Sequence, residues 1–417
     1  MSPVFIALIA AAGIALMLVR PWGVAEVYWV GGSAALLVAL RLVPLRLAGH
    51  AIAEGADVYL FLIGMMLLSE LAREHGVFDW LASVAVRGAR GSCVRLFCLV
   101  YGIGTLVTIF MSNDATAVVL TPAILAAVRK AKVQALPYLF ACALIANAAS
   151  FVLPISNPAN LVVFHDGLPP LGRWMIDFGV PSLLSIAATF LVLRVWFRRE
   201  LVARIEAEVE AQELSRSGQL VAGGLVLVVA VMLGASAMGI DLGLPACVAA
   251  LAITAVVSVV ERRSPVGLVR EISWSTLALV AGLFVLVDAV ESIGALKGTV
   301  AALAWAQGLG TELGALVVGF VVGVGNNVVN NLPLGLIAAG TLRTAQVHGL
   351  LAHAVLIGVD LGPNLSVTGS LATILWLIAL RREGLHVSFM DFLKVGAVAM
   401  PVALLAALGG AVVMSWM

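Results

Sequence analysis

Charge is the scarcest thing in this chain. Its 417 residues include 24 Lys and Arg and 23 Asp and Glu, so that only 11% are charged, about half the share of a soluble domain. No basic tract with interleaved aromatics occurs, which leaves no footprint for nucleic acid. No Gly-rich loop ending in Gly-Lys-Ser or Gly-Lys-Thr occurs, so the chain is not expected to bind ATP itself. The four cysteines, Cys93, Cys98, Cys142 and Cys247, form no CxxC pair and have no histidine at ligand spacing. They read as small buried thiols, not as disulfide partners or a metal or metalloid ligand set. No nucleophile–base pair is visible. An enzyme, a cofactor and a bound metal are therefore not expected.

Hydrocarbon fills the space that charge leaves. Hydrophobic residues make up 62% of the chain, and the mean hydropathy is +1.11. Apolar runs of roughly 17–25 residues, the length that crosses a bilayer as a helix, recur at 3–19, 174–193, 221–238 and 389–414. The fold class is an all-α polytopic membrane protein. The first run lacks a basic leading region and a small-residue exit, so it reads as a retained helix, not a cleaved signal.

Shifting the chain by 218 residues against itself aligns Gly64 with Gly282, Glu70 with Asp288, Gly76 with Gly294, and Ser112-Asn113 with Asn330-Asn331. The polar segment Arg198 to Gln219 holds most of the contiguous charge and ends where the second copy begins. Residues 1–197 and 219–417 thus read as two copies of one unit, with 198–218 as a cytoplasmic linker. Each half offers five clear spans and one ambiguous piece, at 94–128 and 314–343. If those pieces are re-entrant hairpins, 19 of the 24 basic residues fall on one side, and only Arg41, Arg46, Arg173, Lys297 and Arg343 on the other. With twelve full spans the division is about 14 to 10. The positive-inside rule therefore predicts ten spans, two hairpins, inverted copies and both termini outside.

Each half carries two polar interruptions. "MSNDAT" and "GNNVVNNLPLG" sit in the hairpins, while "LPISNPAN" and "GVDLGPNLSVTGS" break the spans that follow. Backbone freed by Pro and Gly must be buried in protein or line a wet cavity. Asn and Ser in membrane helices also serve as plain interhelical glue. Four breaks in matched positions of a repeat point instead to a substrate site near the midplane, built from Ser112, Asn113, Thr116, Ser156, Asn157, Asn160, Asn327, Asn330, Asn331, Thr368 and Ser370. Asp114 and Asp360 sit at breaks, although an ionisable group at mid-span costs about 2.5–3.5 kcal/mol on insertion scales. That cost makes them candidates for proton coupling, ahead of Glu70 and Asp288 near span ends. No Lys or Arg occurs in 101–128, 138–164, 315–342 or 350–380. A multiply charged anion is poorly served by such a site, and a neutral polyhydroxyl species or a small cation is served better.

The stretches "FMSNDATAVVLTP", "SNPANLVV", "NNVVNNLP" and above all "GVDLGPNLSVTGSLATILWL" resemble the arsenite efflux permeases. These arsenical pump membrane proteins belong to a wider ion-transporter superfamily. The resemblance covers nearly the whole chain. It implies a multi-pass protein of the bacterial inner membrane that exports arsenite, and antimonite with it, in exchange for protons. It also implies a homodimer in membrane lipid and an optional soluble ATPase subunit. The chain departs from the pattern at Asn364, where many members carry Lys. Arsenous acid is largely uncharged near neutral pH, and its three hydroxyls suit Asn amides and Ser or Thr hydroxyls. A sodium/proton antiporter of the same fold and a passive channel for small neutral solutes are the alternative readings.

The cysteine spacing generates the first test. A variant with all four cysteines replaced by Ala is expected to keep arsenite resistance close to that of the parent. Loss of resistance in a stably expressed protein would mean that thiolates bind the metalloid after all.

Overall fold

The computed structural model describes residues 2–164, 167–205 and 213–416. The middle of the expected linker, 206–212, lies outside the described residues. The first half contains α1 (Ser2–Val19), α2 (Glu26–Ala39), α3 (Leu45–Glu54), α4 (Ala56–Glu74), α5 (Val77–Gly88), α6 (Cys93–Phe110), α7 (Thr121–Lys130), α8 (Leu136–Ala148), α9 (Pro158–Val163) and α10 (Leu171–Trp196). The second contains α11 (Arg216–Ala237), α12 (Gly243–Glu261), α13 (Val266–Glu271), α14 (Trp274–Ser292), α15 (Lys297–Gln307), α16 (Thr311–Val329), α17 (Asn331–Ala345), α18 (Leu350–Leu361), α19 (Leu371–Arg382) and α20 (Phe389–Met414). Among the described residues there is no strand, only an isolated bridge between Ser92 and Arg204.

Among the described residues, seven helices are long and apolar enough to cross a membrane: α6, α10, α11, α12, α14, α16 and α20. The pair α3 and α4, bent by 48° where they join, passes the same criterion together. Large apolar side chains such as Val226, Val248 and Val259 stay exposed on α11 and α12, as lipid-facing surfaces require. The chain is an all-helical, multi-pass membrane protein.

The 218-residue offset that aligns the sequence landmarks also aligns the helices. Adding it to the bounds of α4 gives those of α14, and adding it to α10 gives α20. The packing is reciprocal as well: α4 runs along α12, and α14 along α2. The α10–α20 contact joins the two equivalent long helices to each other. Each of these two carries an internal proline, Pro181 and Pro401.

The glycine landmarks have a physical cause. A Cβ on Gly64 would sit 2.8 Å from the backbone carbonyl of Ala246 in α12. A Cβ on Gly282 would sit 2.9 Å from Val30 Cγ1 and 3.3 Å from the Gly31 amide nitrogen in α2. The same position in each half thus lets α4 and α14 lie against the helix of the other half. Gly76 and Gly294, with φ of 69° and 70°, turn the chain into α5 and α15.

Helix ends are fixed locally. Ser92 accepts from the Arg95 amide at the start of α6, and Ser215 from the Gly218 amide at the start of α11. Ser388 and Asp391 form a reciprocal capping box on α20, satisfying backbone donors that a helix start leaves bare.

The close approach at Gly64 is testable. Gly64→Val forces backbone apart in a packed interface, a change that costs about 1–3 kcal/mol. Gly223→Val is the control, because nothing lies within 4 Å of its Cβ position. The thermal midpoint of the detergent-solubilised protein should fall for Gly64→Val and hold for Gly223→Val. Equal midpoints would show that the α4–α12 contact does not depend on the missing side chain.

Candidate functional site

Four helix breaks define the site, and each is held open by its own polar side chains. After α6, Ser112 Oγ accepts from the Ala115 amide at 3.1 Å, and Asn113 Oδ1 accepts from the Asp114 amide at 2.9 Å. The chain then winds as a π-helix through Ala115–Leu120 before α7, a wide turn that recurs at functional sites. Between α8 and α9, Asn157 Oδ1 caps α9 by accepting from the Ala159 amide at 3.0 Å. Between α16 and α17 a single residue, Asn330, takes φ 78° and ψ 152°. Between α18 and α19, Ser370 Oγ accepts from the Thr373 amide at 3.1 Å and caps α19.

The segments that follow the breaks converge. A cavity of about 30 Å³ is lined by Asn113, Asp114, Asn157, Pro158, Asn331, Leu332, Ser370, Leu371 and Ala372, together with Leu62 and Thr276. The polar members begin α9, α17, α19 and the π-helix. Positive ends of helix dipoles therefore face one small space. That volume holds about two waters, since one water needs roughly 10–15 Å³ on this measure.

A larger vestibule of about 170 Å³ adjoins it, sharing Leu62, Asp114, Pro158, Thr276 and Leu371. Its walls add Ser69, Glu70, Ser112, Glu271 and Ser273. Among the described residues, no Lys or Arg lines either space. Glu70 is paired with Arg73 one helical turn on, whose side chain is mostly outside the vestibule.

Of the eleven polar residues expected at the site, Asn113, Asn157, Asn331 and Ser370 reach the small cavity, and Ser112 reaches the vestibule. The other six bond the breaks together. Thr116 pairs with Thr108 at 2.8 Å, and Ser156 donates to the Ile109 carbonyl at 2.9 Å. Asn160 Nδ2 faces the Ser150, Leu153 and Pro154 carbonyls at 2.9–3.3 Å. Asn327 donates to the Gly323 and Gly362 carbonyls, both at 3.0 Å, and accepts from Ser366 Oγ at 2.7 Å. Thr368 donates to the Asn327 carbonyl at 2.8 Å, and Asn330 Nδ2 to the Thr368 carbonyl at 3.3 Å.

The acids divide sharply. Asp114 lines both spaces and has no donor or cation against its carboxyl group among the described residues. Asp360 is fully buried behind the cavity. One of its oxygens accepts from Asn157 Nδ2 at 2.8 Å, and the Ser150 hydroxyl, which donates to the Asn147 carbonyl, is its other side-chain neighbour. It lies in the last turn of α18, where the helix dipole disfavours an anion. Asp288 lines a separate space of about 20 Å³.

Two groups at or behind the site, Thr276 and Asn147, carry no signal in the sequence. Thr276, in the first turn of α14, faces both spaces. Asn147 and Asn364 form an amide pair at 2.9 Å behind the cavity, with Asn364 also donating to the Leu144 carbonyl at 3.0 Å. Asn364, where the resemblance implies Lys, thus sits in a buried amide pair. The cysteines stay away: Cys93, Cys142 and Cys247 are buried, Cys98 is exposed, and none lines either space.

The chain is similar to several bacterial transporters. An arsenical pump membrane protein of Yersinia enterocolitica is 27% identical over 356 residues, covering 81% of each chain. One of Escherichia coli is 27% identical over 361 residues, again covering 81% of each. An uncharacterized transporter of Mycobacterium tuberculosis is 25% identical over 364 residues, covering 84% of this chain and 83% of its own. Among solved structures, the YdaH transporter of Alcanivorax borkumensis, described as having an unusual topology, shares the fold with a TM-score of 0.58 at 18% identity. That match covers 91% of this chain and 89% of the transporter. The helices and the bacterial relatives together make this a multi-pass protein of the bacterial inner membrane with a role in transport. The family profile described as citrate transporter, CitMHS, matches residues 1–359, and the chain belongs to that family.

Proposed function

We propose that this protein exports arsenite, and antimonite with it, from the cytoplasm in exchange for protons. The observation that carries the reading is the small cavity in which four helix breaks meet, with one carboxyl group and no cation in its lining. Citrate brings three carboxylates, and neither the 30 Å³ cavity nor the 170 Å³ vestibule offers a Lys or Arg to meet them. Arsenous acid is small and neutral. Its hydroxyls can both donate to and accept from Asn113, Asn157 and Asn331, while Ser370 and Thr276 supply rotatable hydroxyls.

Asp114 supplies the coupling. When ionised it accepts hydroxyl protons of arsenous acid at both oxygens, and when protonated one of those oxygens becomes a donor and no longer matches them. Substrate and proton then compete for one state of the site, which gives exchange without charge on the substrate. Asp360, tied to Asn157, is the second acid and senses the same amide that faces the cavity.

The architecture assigned to this function is two inverted five-span repeats, residues 1–197 and 219–417, with a cytoplasmic linker at 198–218 and a re-entrant hairpin and a broken helix in each. Helices α6 and α16 are long enough to span. The residues just past their ends, Asn113 and Asn331, nevertheless meet the broken α8–α9 and α18–α19 segments around one cavity. That convergence supports hairpin tips at mid-depth, and five crossings per half then require inversion. Glu70 and Glu271, which line the vestibule, lie close in sequence to Arg73 and Arg270, basic residues assigned to the cytoplasmic face by the positive-inside rule. The likeness to arsenical pumps brings a homodimer and an optional soluble ATPase partner into the same proposal.

Asp114→Asn keeps the shape and removes the titration. In proteoliposomes it should lose uphill arsenite accumulation driven by a proton gradient while retaining arsenite–arsenite counterflow. Asp360→Asn should produce the smaller defect of the two. Normal uphill accumulation in both variants would transfer the proton to Glu70 or Asp288, and loss of counterflow in Asp114→Asn would make it a binding residue only.

A further inference from the structure

The vestibule that holds Glu70 has a counterpart in the other half. Applying the 218-residue offset to Met66, Ser69, Glu70 and Val118 gives Phe284, Val287, Asp288 and Leu336, all of which line the 20 Å³ space. The same offset carries Met65, Ser112, Asp114 and Ala115 onto Leu283, Asn330, Leu332 and Pro333 of another space of about 20 Å³, so the positions that line one vestibule of about 170 Å³ in the first half line two narrow spaces in the second. Bulkier side chains at three of the four positions account for part of the difference. The α17 arm is also held by contacts that the first half lacks.

Arg343 Nη2 donates to Glu291 Oε2 at 2.6 Å, joining α17 to the end of α14 across the narrow space. Both side chains are about a third or less exposed, at 34% and 26%. Gly340 makes room for the pair, because a Cβ there would lie 3.2 Å from the same Glu291 oxygen. One residue on, Thr341 Oγ1 meets Thr299 Oγ1 at 2.7 Å and ties α17 to α15. The first half has no equivalent. The offset positions are Arg73 and Leu125 for the ion pair, and Leu81 and Ala123 for the hydroxyl pair.

We propose that Arg343 and Glu291 form an ionic latch that holds this second vestibule shut while its counterpart stands open, and whose release lets the two exchange roles. The proposal rests on the transport reading for its purpose, but not for its test. A partly buried ion pair is a suitable latch: its Coulomb gain exceeds that of an exposed pair, yet it breaks without unfolding the helices it joins. The acids beside it, Glu54 and Asp288, give Arg343 alternative partners once Glu291 lets go.

The test uses thiol labelling of the full-length, detergent-solubilised protein in a background with all four native cysteines replaced by Ala. A maleimide reports access to Leu336→Cys in the closed vestibule and, separately, to Val118→Cys in the open one. Both faces are accessible in detergent, so neither the orientation in the membrane nor the transported species affects the readout. With the latch intact, Val118→Cys should label fast and Leu336→Cys slowly. Glu291→Gln should raise the Leu336→Cys rate by about three- to tenfold, the population shift expected for losing a partly exposed ion pair, and lower the Val118→Cys rate. Exchanging the charges, Glu291→Arg with Arg343→Glu, should restore slow labelling at 336 and exclude general misfolding as the cause. An unchanged rate at 336 in Glu291→Gln overturns the latch. A rise at 336 with no fall at 118, or no recovery in the charge exchange, overturns the coupling between the vestibules. Arsenite export by the same variants reports separately on the proposed function.

Discussion

Every polar backbone group placed in hydrocarbon must find a partner inside the protein, because a bare one costs several kcal/mol. The rest of this structure follows from that constraint. Four interruptions open helices at α6/α7, α8/α9, α16/α17 and α18/α19, and each exposes carbonyls and amides that lipid cannot satisfy. Side-chain amides take up much of the load. Asn160 alone approaches three carbonyls, and Asn327 ties the end of α16 to the segment between α18 and α19. With the breaks held this way, a few polar groups remain to face an internal space. Those few are the candidate site.

Residues of the same type therefore do two different jobs within a few positions of each other. Asn157 and Asn160 are three residues apart, yet the first faces the cavity and reaches Asp360, while the second is spent on backbone. Asn331 faces the cavity beside Asn330, which turns the chain and donates to Thr368. Asp114 and Asp360 repeat the contrast among acids, one lining the open path and one sealed behind an amide. A carboxyl group without a cationic partner at such a place is expensive in lipid, and the proposed proton exchange would offset that cost.

Much of this was legible in the sequence, for reasons the structure supplies. The 218-residue offset stood out through Gly64 and Gly282, where backbone meets backbone, and through Gly76 and Gly294, where φ is positive. The breaks were legible because Pro, Gly, Asn and Ser interrupt apolar runs. Which asparagine would serve the backbone and which the cavity was not legible, since that depends on the direction of a side chain in an irregular segment. Thr276 was missed because a lone threonine at a helix start gives no pattern, and the Asn147–Asn364 pair because its partners are 217 residues apart. The π-helix after Asp114 and the unequal vestibules depend on how the halves meet, which no local pattern encodes.

The central claim is that the cavity at the four breaks passes a small neutral solute against a proton and refuses a multiply charged anion. Arsenite uptake into everted membrane vesicles, measured with and without an imposed acid-inside gradient and with excess citrate, addresses it directly. The account predicts uphill uptake that requires the gradient and is unmoved by citrate. Uptake that merely equilibrates regardless of the gradient, or that citrate displaces, would contradict it.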